Sequence, residues 1–170
     1  MMFDFTETVL IEAPRDEVWE VLSDIDRWWL ASNPEHGSSE HLDSLAPTKV
    51  GARLRIREKI GGIPGEAVGT ITAVEPGTAV TWQADARYRW LGIPVRVGEG
   101  VTWRVEPHDE STTRVSARVW ATFPEHLVGR VARFFFVHVL NGIDKDRHHA
   151  RTELRYLKNL FENFDRPAGL

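Results

Sequence analysis

Cysteine is absent from the 170 residues. Without it no disulfide can form, no thiolate nucleophile exists, and cysteine-ligated metals are excluded. No apolar run approaches the ~20 residues that a membrane-spanning helix needs. The amino terminus, Met-Met-Phe-Asp-Phe-Thr-Glu, has neither a basic flank nor an apolar core, so no signal peptide is expected and the expected location is cytoplasmic. Basic residues are in deficit, 21 against 25 acidic for a formal charge of −4, with no extended basic run. That balance argues against nucleic acid as a partner. Neither a glycine-rich phosphate loop nor a Gly-x-Ser-x-Gly elbow occurs. Metal-ligand spacing is missing as well: Glu35-His36 with Glu40-His41 fits poorly, so no metal and no cofactor are expected.

Tryptophan, by contrast, is abundant. Seven tryptophans stand with eight phenylalanines and two tyrosines, in a chain that is 42% hydrophobic and 27% charged. At this length the chain is most simply one domain, expected over residues 1–165 with a frayed tail at 166–170. The many large side chains either fill a core or line a hollow one.

Residues 3–12 alternate as a strand, with Phe3, Phe5, Glu7, Val9 and Ile11 on one face. Pro14, Asp16 and Glu17 then open a helix whose apolar face is Val18, Trp19, Val21, Leu22 and Ile25. A second short helix carries Trp28, Trp29 and Leu30, and most of 31–49 reads as loop, taking in His36 and His41. From Gly51 the apolar period changes to two. Ala52, Leu54, Ile56, Glu58 and Ile60 share a face, opposite Arg53, Arg55, Arg57 and Lys59. The following hairpins put Ala67, Gly69, Ile71 and Ala73 with Val80, Trp82, Ala84, Ala86 and Tyr88. Val95, Val97, Glu99, Val101, Trp103 and Val105 face in on the next strand, and Thr113, Val115, Ala117, Val119, Ala121 and Phe123 on the last. About six antiparallel strands with one wet and one dry face result. The wet face is rich in arginine, expected to pair with Glu66, Asp85 and Glu106 across strands.

Pro124 to Phe164 reads as one long helix. Its second half carries an apolar stripe of Val139, Ile143, Ala150, Leu154, Leu157, Phe161 and Phe164. Its first half, from Leu127 to Leu140, is apolar nearly all round. Some 40 residues of helix would measure ~60 Å, so the helix must curve or break, and Asn141-Gly142 is the expected hinge.

Three stretches of this text, in this order, resemble the helix-grip superfamily of START lipid-transfer domains, pollen-allergen-type proteins and polyketide cyclase/dehydrases (START-like, or SRPBCC). They are Val9 to Trp19 running into Asp24 and Trp28, Gly69 to Gly77 leading to Val80-Thr81-Trp82, and the closing Leu154 to Leu160. The resemblance implies an α+β helix-grip fold, a curved antiparallel sheet wrapped around the C-terminal helix with a cavity between them. It also implies a hydrophobic small-molecule ligand such as a lipid, polyketide or other aromatic metabolite. In a minority of members it implies cyclase, dehydratase or hydrolase chemistry.

Two carboxylates interrupt the dry face, Glu58 and Glu99. A buried carboxylate raises its pKa or finds a partner, which makes both candidates for acid–base work. The alternative is that each escapes to solvent at a strand end or bulge, and Gly98 and Gly100 around Glu99 suit a bulge. His138 falls on the apolar first half of the long helix and completes a candidate catalytic set of Glu58, Glu99 and His138. Candidate ligand contacts are Trp28, Trp82, Tyr88, Glu99, Trp103, Phe134, Phe135 and His138. Small residues such as Ala67, Gly69 and Ala84 on the dry face favour a real cavity over a solid core. His148 and His149, among Asp146, Arg147 and Arg151, are expected on a solvated face. Phe134, Phe135 and Phe136 cannot all face one core, so a protein-interaction surface is a further alternative, as monomer or homodimer.

Overall fold

The computed structural model describes residues 2–90, 92–125, 127–139 and 141–162, apart from the side chains of residues 90, 128 and 139. Leu140, Phe164 and the tail at 166–170 lie outside the described residues. The chain runs β1 (Met2–Ile11), α1 (Arg15–Leu22), a 3-10 turn (Ile25–Arg27), α2 (Trp29–Ser32), β2 (His36–His41), β3 (Arg53–Ile60) and β4 (Ile63–Glu75). It continues through β5 (Ala79–Trp90), β6 (Ile93–Pro107), β7 (Thr113–Thr122), α3 (Leu127–Phe134), a π-helical segment (Phe135–Val139) and α4 (Gly142–Glu162). Seven antiparallel strands form one sheet in the order β1-β7-β6-β5-β4-β3-β2. The helices pack over its dry face, with α4 against β1, β7, β3 and α2. This is the helix-grip fold.

Alternation sets most of the dry face as expected. Phe5, Ile11, Leu54, Ile56, Ala67, Trp82, Val97, Trp103, Val115 and Ala117 are all buried. Two positions depart from it. A register shift between Ile71 and Ala73 opposite β5 turns Ala73 out to solvent and Val74 inward, because a bulge inverts the parity of the residues beyond it. The seventh strand, β2, lies in the stretch read as loop. Its text His-Gly-Ser-Ser-Glu-His has no apolar period, since an edge strand is held by backbone bonds to one neighbour. The β3–β4 connection is a two-residue turn. Gly61 and Gly62 both have positive φ (58° and 85°), the conformation a two-residue hairpin turn requires, so Ile60 pairs directly with Ile63.

On the wet face the arginines pair with carboxylates, Arg57 with Glu66, Arg55 with Glu40, Arg104 with Glu75 and Arg118 with Asp4. Only the first of these involves an acid expected from the alternation. Exposed pairs of this kind are worth about 0–1 kcal/mol each.

The long helix breaks at the expected hinge. Asn141 adopts φ 51°, a left-handed conformation that asparagine tolerates, and α4 restarts at Gly142. The glycine serves a close approach: any side chain there would collide with the ring of Phe136. Upstream, the helix widens to i→i+5 bonding over Phe135–Val139. His138 stays on the line of Leu127, Val131 and Phe134, and that line faces outward. Phe136 turns inward against Phe3 and Phe123, while Leu127, Val131 and Phe134 remain exposed.

Candidate functional site

A cavity of about 130 Å³ lies between the sheet and the helices, walled by members of both hydrophobic clusters of the core. From the strands come Ile56, Trp82, Val95, Val97, Trp103, Val119 and Ala121. From the helical side come Trp29, Ala132 and Phe136. Trp82 lies against Gly69, where a larger residue would displace it. The Nε1–H groups of Trp82 and Trp103 are buried and have no hydrogen-bond partner among the described residues. The polar lining comes from two sources. The inward parity of β3, β5 and β6 supplies Glu58, Tyr88 and Glu99, while α4 supplies Asp146, His149 and Glu153 at i, i+3 and i+7, one face of a helix.

Glu99 and Tyr88 form a pair, the phenol O–H donating to Oε2 at 2.8 Å. Burial, reinforced by the nearby Glu58, holds the Glu99 carboxyl well above the usual carboxylate range. Burial, then Glu99 itself, likewise raises the Tyr88 phenol. On the opposite wall, burial, partly offset by His149, pushes Asp146 up to about 7. A raised folded-state pKa means that the fold binds this proton more tightly than the unfolded chain does. The stability it contributes is whole below the unfolded value of 3.8 and is lost as pH rises through about 7. Asp146→Asn is therefore expected to stabilise the protein at pH 8 by on the order of 2–4 kcal/mol, with the difference vanishing near pH 4. Thermal midpoints of both proteins across that range check it. Equal midpoints at pH 8 would contradict it.

Beside Asp146 sits a buried cluster of two histidines and two carboxylates. The Nε2 atoms of His36 and His149 are 2.9 Å apart. Glu153 Oε1 lies 3.1 and 3.4 Å from them, and Glu58 Oε2 3.7 and 3.5 Å. His36 stacks on Trp29, its ring centroid 3.7 Å away. Burial alone would depress the His149 imidazole, but the Glu153 and Glu58 carboxylates carry it up to about 11. Burial works against the Glu153 carboxylate too, yet hydrogen bonds from His149 and His36 bring it down to about 2.

A family model described as polyketide cyclase/dehydrase and lipid transport matches residues 2–162. The chain belongs to that family. Solved structures of similar architecture include the Zhui aromatase/cyclase from a Streptomyces species, 17% identical over 99% of both chains with a TM-score of 0.72. A START superfamily protein from Mycobacterium smegmatis is 14% identical over 95% of this chain and 98% of its own, TM-score 0.62. Norcoclaurine synthase from Thalictrum flavum, a point mutant in complex with a transition state analogue, is 14% identical over 98% of each chain, TM-score 0.62. At these identities the likeness is one of fold. No curated protein sequence matches the chain.

Within this member of the polyketide cyclase/dehydrase family, the candidate residues divide. Glu58, Trp82, Tyr88, Glu99 and Trp103 line the cavity. Strand β6 passes through Gly98-Glu99-Gly100 without a bulge, which keeps Glu99 on the inner face. His138 is exposed and packs beside Phe134, so it does not join Glu58 and Glu99. Phe134 is exposed and neither it nor Phe135 is among the cavity residues; Phe136 takes that place. Trp28 is core, edge-on to Trp103 at 5.6 Å with its Nε1–H donating to the Leu22 carbonyl. Its neighbour Trp29 faces the cavity instead.

The expected solvated position of His149 is overturned: it is 5% exposed. His36, expected in a loop, is a buried strand residue. The signal for Asp146, His149 and Glu153 was present as i, i+3, i+7 spacing beside the apolar stripe. Polar residue type among charged neighbours instead points His149 to water. His36 carried no local signal, since its burial depends on α2 and α4 closing over an edge strand.

Proposed function

We propose that this protein binds a compact hydrophobic molecule of one or two rings bearing a carbonyl or hydroxyl oxygen, held in the cavity between sheet and helices. The observation that carries this is the Tyr88–Glu99 pair set in an otherwise apolar and aromatic wall. A few placed polar groups in an apolar pocket orient a ligand. With its carboxyl kept protonated by burial, Glu99 has an O–H to donate to a ligand oxygen, and the two indole N–H groups that have no partner among the described residues add donors in the same wall. The cavity volume of about 130 Å³ seats a single ring, because about 150 Å³ of apolar space accepts one benzene ring, and a second fused ring would reach beyond it. A longer molecule would place one ring here and the rest outside. The family includes lipid transport and cyclase/dehydrase proteins, which supports a ligand of this kind.

A second reading, catalysis of the cyclase/dehydratase kind, is favoured by the same carboxyl. A neutral Glu99 can protonate a bound carbonyl while Asp146, titrating near 7, takes a proton from the adjacent carbon. Glu58 and Glu99 stay in this scheme, and His138 leaves it.

One experiment addresses both readings. 2-Tetralone should quench tryptophan fluorescence saturably and bind about 10-fold more tightly than tetralin, which lacks the oxygen. Glu99→Leu should erase that preference. Glu99→Gln should keep it, because an amide N–H still donates. If Glu99 also works as an acid, exchange of the tetralone α-protons in D2O, followed by NMR, runs faster with the wild type than without protein and falls to the protein-free rate in Glu99→Gln. Absence of saturable quenching by either compound would overturn the binding reading; acceleration over the protein-free rate that persists in Glu99→Gln would remove the catalytic one.

A further inference from the structure

We propose that His36, Glu58 and His149 form a binding site for a divalent first-row transition-metal ion, of the zinc or iron class, in the wall of the cavity. His36, Glu58 and His149 each present one ligand atom, all within 4.8 Å of one another. In a tetrahedral site with ligands about 2.0–2.1 Å from the ion, neighbouring ligand atoms stand about 3.3 Å apart. The three separations here are 2.9, 3.5 and 3.7 Å. Small side-chain movements therefore place all three on one ion.

The hydrogen bonds behind the ligands strengthen the case. His36 Nδ1 lies 2.6 Å from the Trp29 carbonyl oxygen, which can only accept, so that nitrogen carries a proton. His149 Nδ1 faces Glu35 Oε2 at 3.3 Å and donates to it. Glu35 in turn accepts from the Gly61 and Gly62 amides at 3.3 and 2.8 Å. With both Nδ1 atoms so engaged, the two Nε2 atoms point at each other and at carboxylate oxygens. Groups so placed need a cation among them, and the metal ion would take the place of the proton held there in the metal-free protein. Metal-ligating histidines are oriented in this way, by a carbonyl or carboxylate on the far nitrogen.

Charge points the same way. A dication offsets the neighbouring carboxylates Glu35, Glu58 and Glu153 more fully than a single proton on His149 does. Two imidazoles suit zinc, iron, cobalt or nickel and disfavour magnesium or calcium. Three protein ligands leave coordination positions open. Since Glu58 and His149 line the cavity, an open position there would meet the oxygen of a bound molecule.

The test uses the full chain, stripped with a chelator and titrated with Co2+ and Zn2+. The expected result is uptake of one ion per chain, cobalt visible bands far stronger than those of the aqueous ion, and a rise in thermal midpoint on Zn2+ addition. Glu58→Gln and His36→Gln should each weaken zinc binding by at least about 100-fold. His41→Gln, which removes an exposed imidazole paired with Asp26, should leave binding unchanged. If the wild type shows only the pale aqueous cobalt spectrum and no saturable zinc uptake, the cluster is an ion pair only and the proposal fails. That measurement stands even where a variant does not fold. Uptake undiminished in folded Glu58→Gln and His36→Gln proteins would overturn it equally. None of these readouts depends on the hydrophobic ligand, so the two proposals fail or stand separately.

Discussion

Replacing His149 by alanine is expected to lower the unfolding free energy of the metal-free protein by about 3–5 kcal/mol at neutral pH, as removal of one partner from a buried ion pair does. The side chain is buried against Glu153 and Glu58, so its loss leaves two carboxylates without their cation. The pH dependence arises from two opposite shifts. His149 is raised from 6.5 to about 11, so its contribution is complete below pH 6.5 and is lost as pH climbs through about 11. Glu153 is lowered from 4.5 to about 2, so its contribution is complete above pH 4.5 and is lost as pH falls through about 2. The gap between wild type and His149→Ala should thus be widest between pH 4.5 and 6.5 and narrow toward both extremes. Urea titrations at pH 5.5, 7.5 and 9.5 measure it, and a gap that widens steadily toward alkaline pH would refute the assignment. The double variant His149→Leu with Glu153→Leu should recover much of the loss, since apolar replacement of both partners leaves less uncompensated charge.

Trp103→Ala is the second large effect, expected to cost about 3–5 kcal/mol. The indole is buried, stands edge-on to the fully buried Trp28, and forms part of the cavity wall. Removing it opens the existing space toward the centre of the main hydrophobic cluster. Trp103→Phe separates packing from recognition. It retains an aromatic ring and deletes a buried N–H that has no partner among the described residues, so its stability cost should stay under about 1.5 kcal/mol. If that N–H serves a ligand oxygen, the same variant weakens 2-tetralone binding while leaving tetralin binding alone. Chemical denaturation of both variants, paired with fluorescence titration of Trp103→Phe by the two compounds, checks it. A loss below about 1 kcal/mol for Trp103→Ala would show that the wall is not packed as described.

How legible the protein was in its sequence depends on which force governed each element. Period-two alternation exposed β3, β5, β6 and β7 together with their inner faces, because burial on one side of a sheet constrains every second residue. Glu58 and Glu99 were visible for the same reason, as charges in an apolar register. Asn141-Gly142 marked the break in the long helix through backbone chemistry alone. Strand β2 was illegible because an edge strand asks little of its side chains. Which face of the apolar segment before Asn141 turns inward was not legible: the line of Leu127, Val131, Phe134 and His138 faces out, and Phe136 meets the cavity instead.

By itself, then, the sequence determined the antiparallel strands, the inward carboxylates of the sheet and much of the aromatic wall through local period and parity, and its resemblance to a known superfamily implied the helix-grip arrangement of those elements. Only the tertiary structure decided which polar residues meet. It brings His36 from a featureless edge strand to His149, 113 positions away, and to Glu153 one turn further along α4, and seats Glu58 beside them. No local pattern encodes that meeting, because whether a polar side chain is buried depends on what the rest of the chain lays over it.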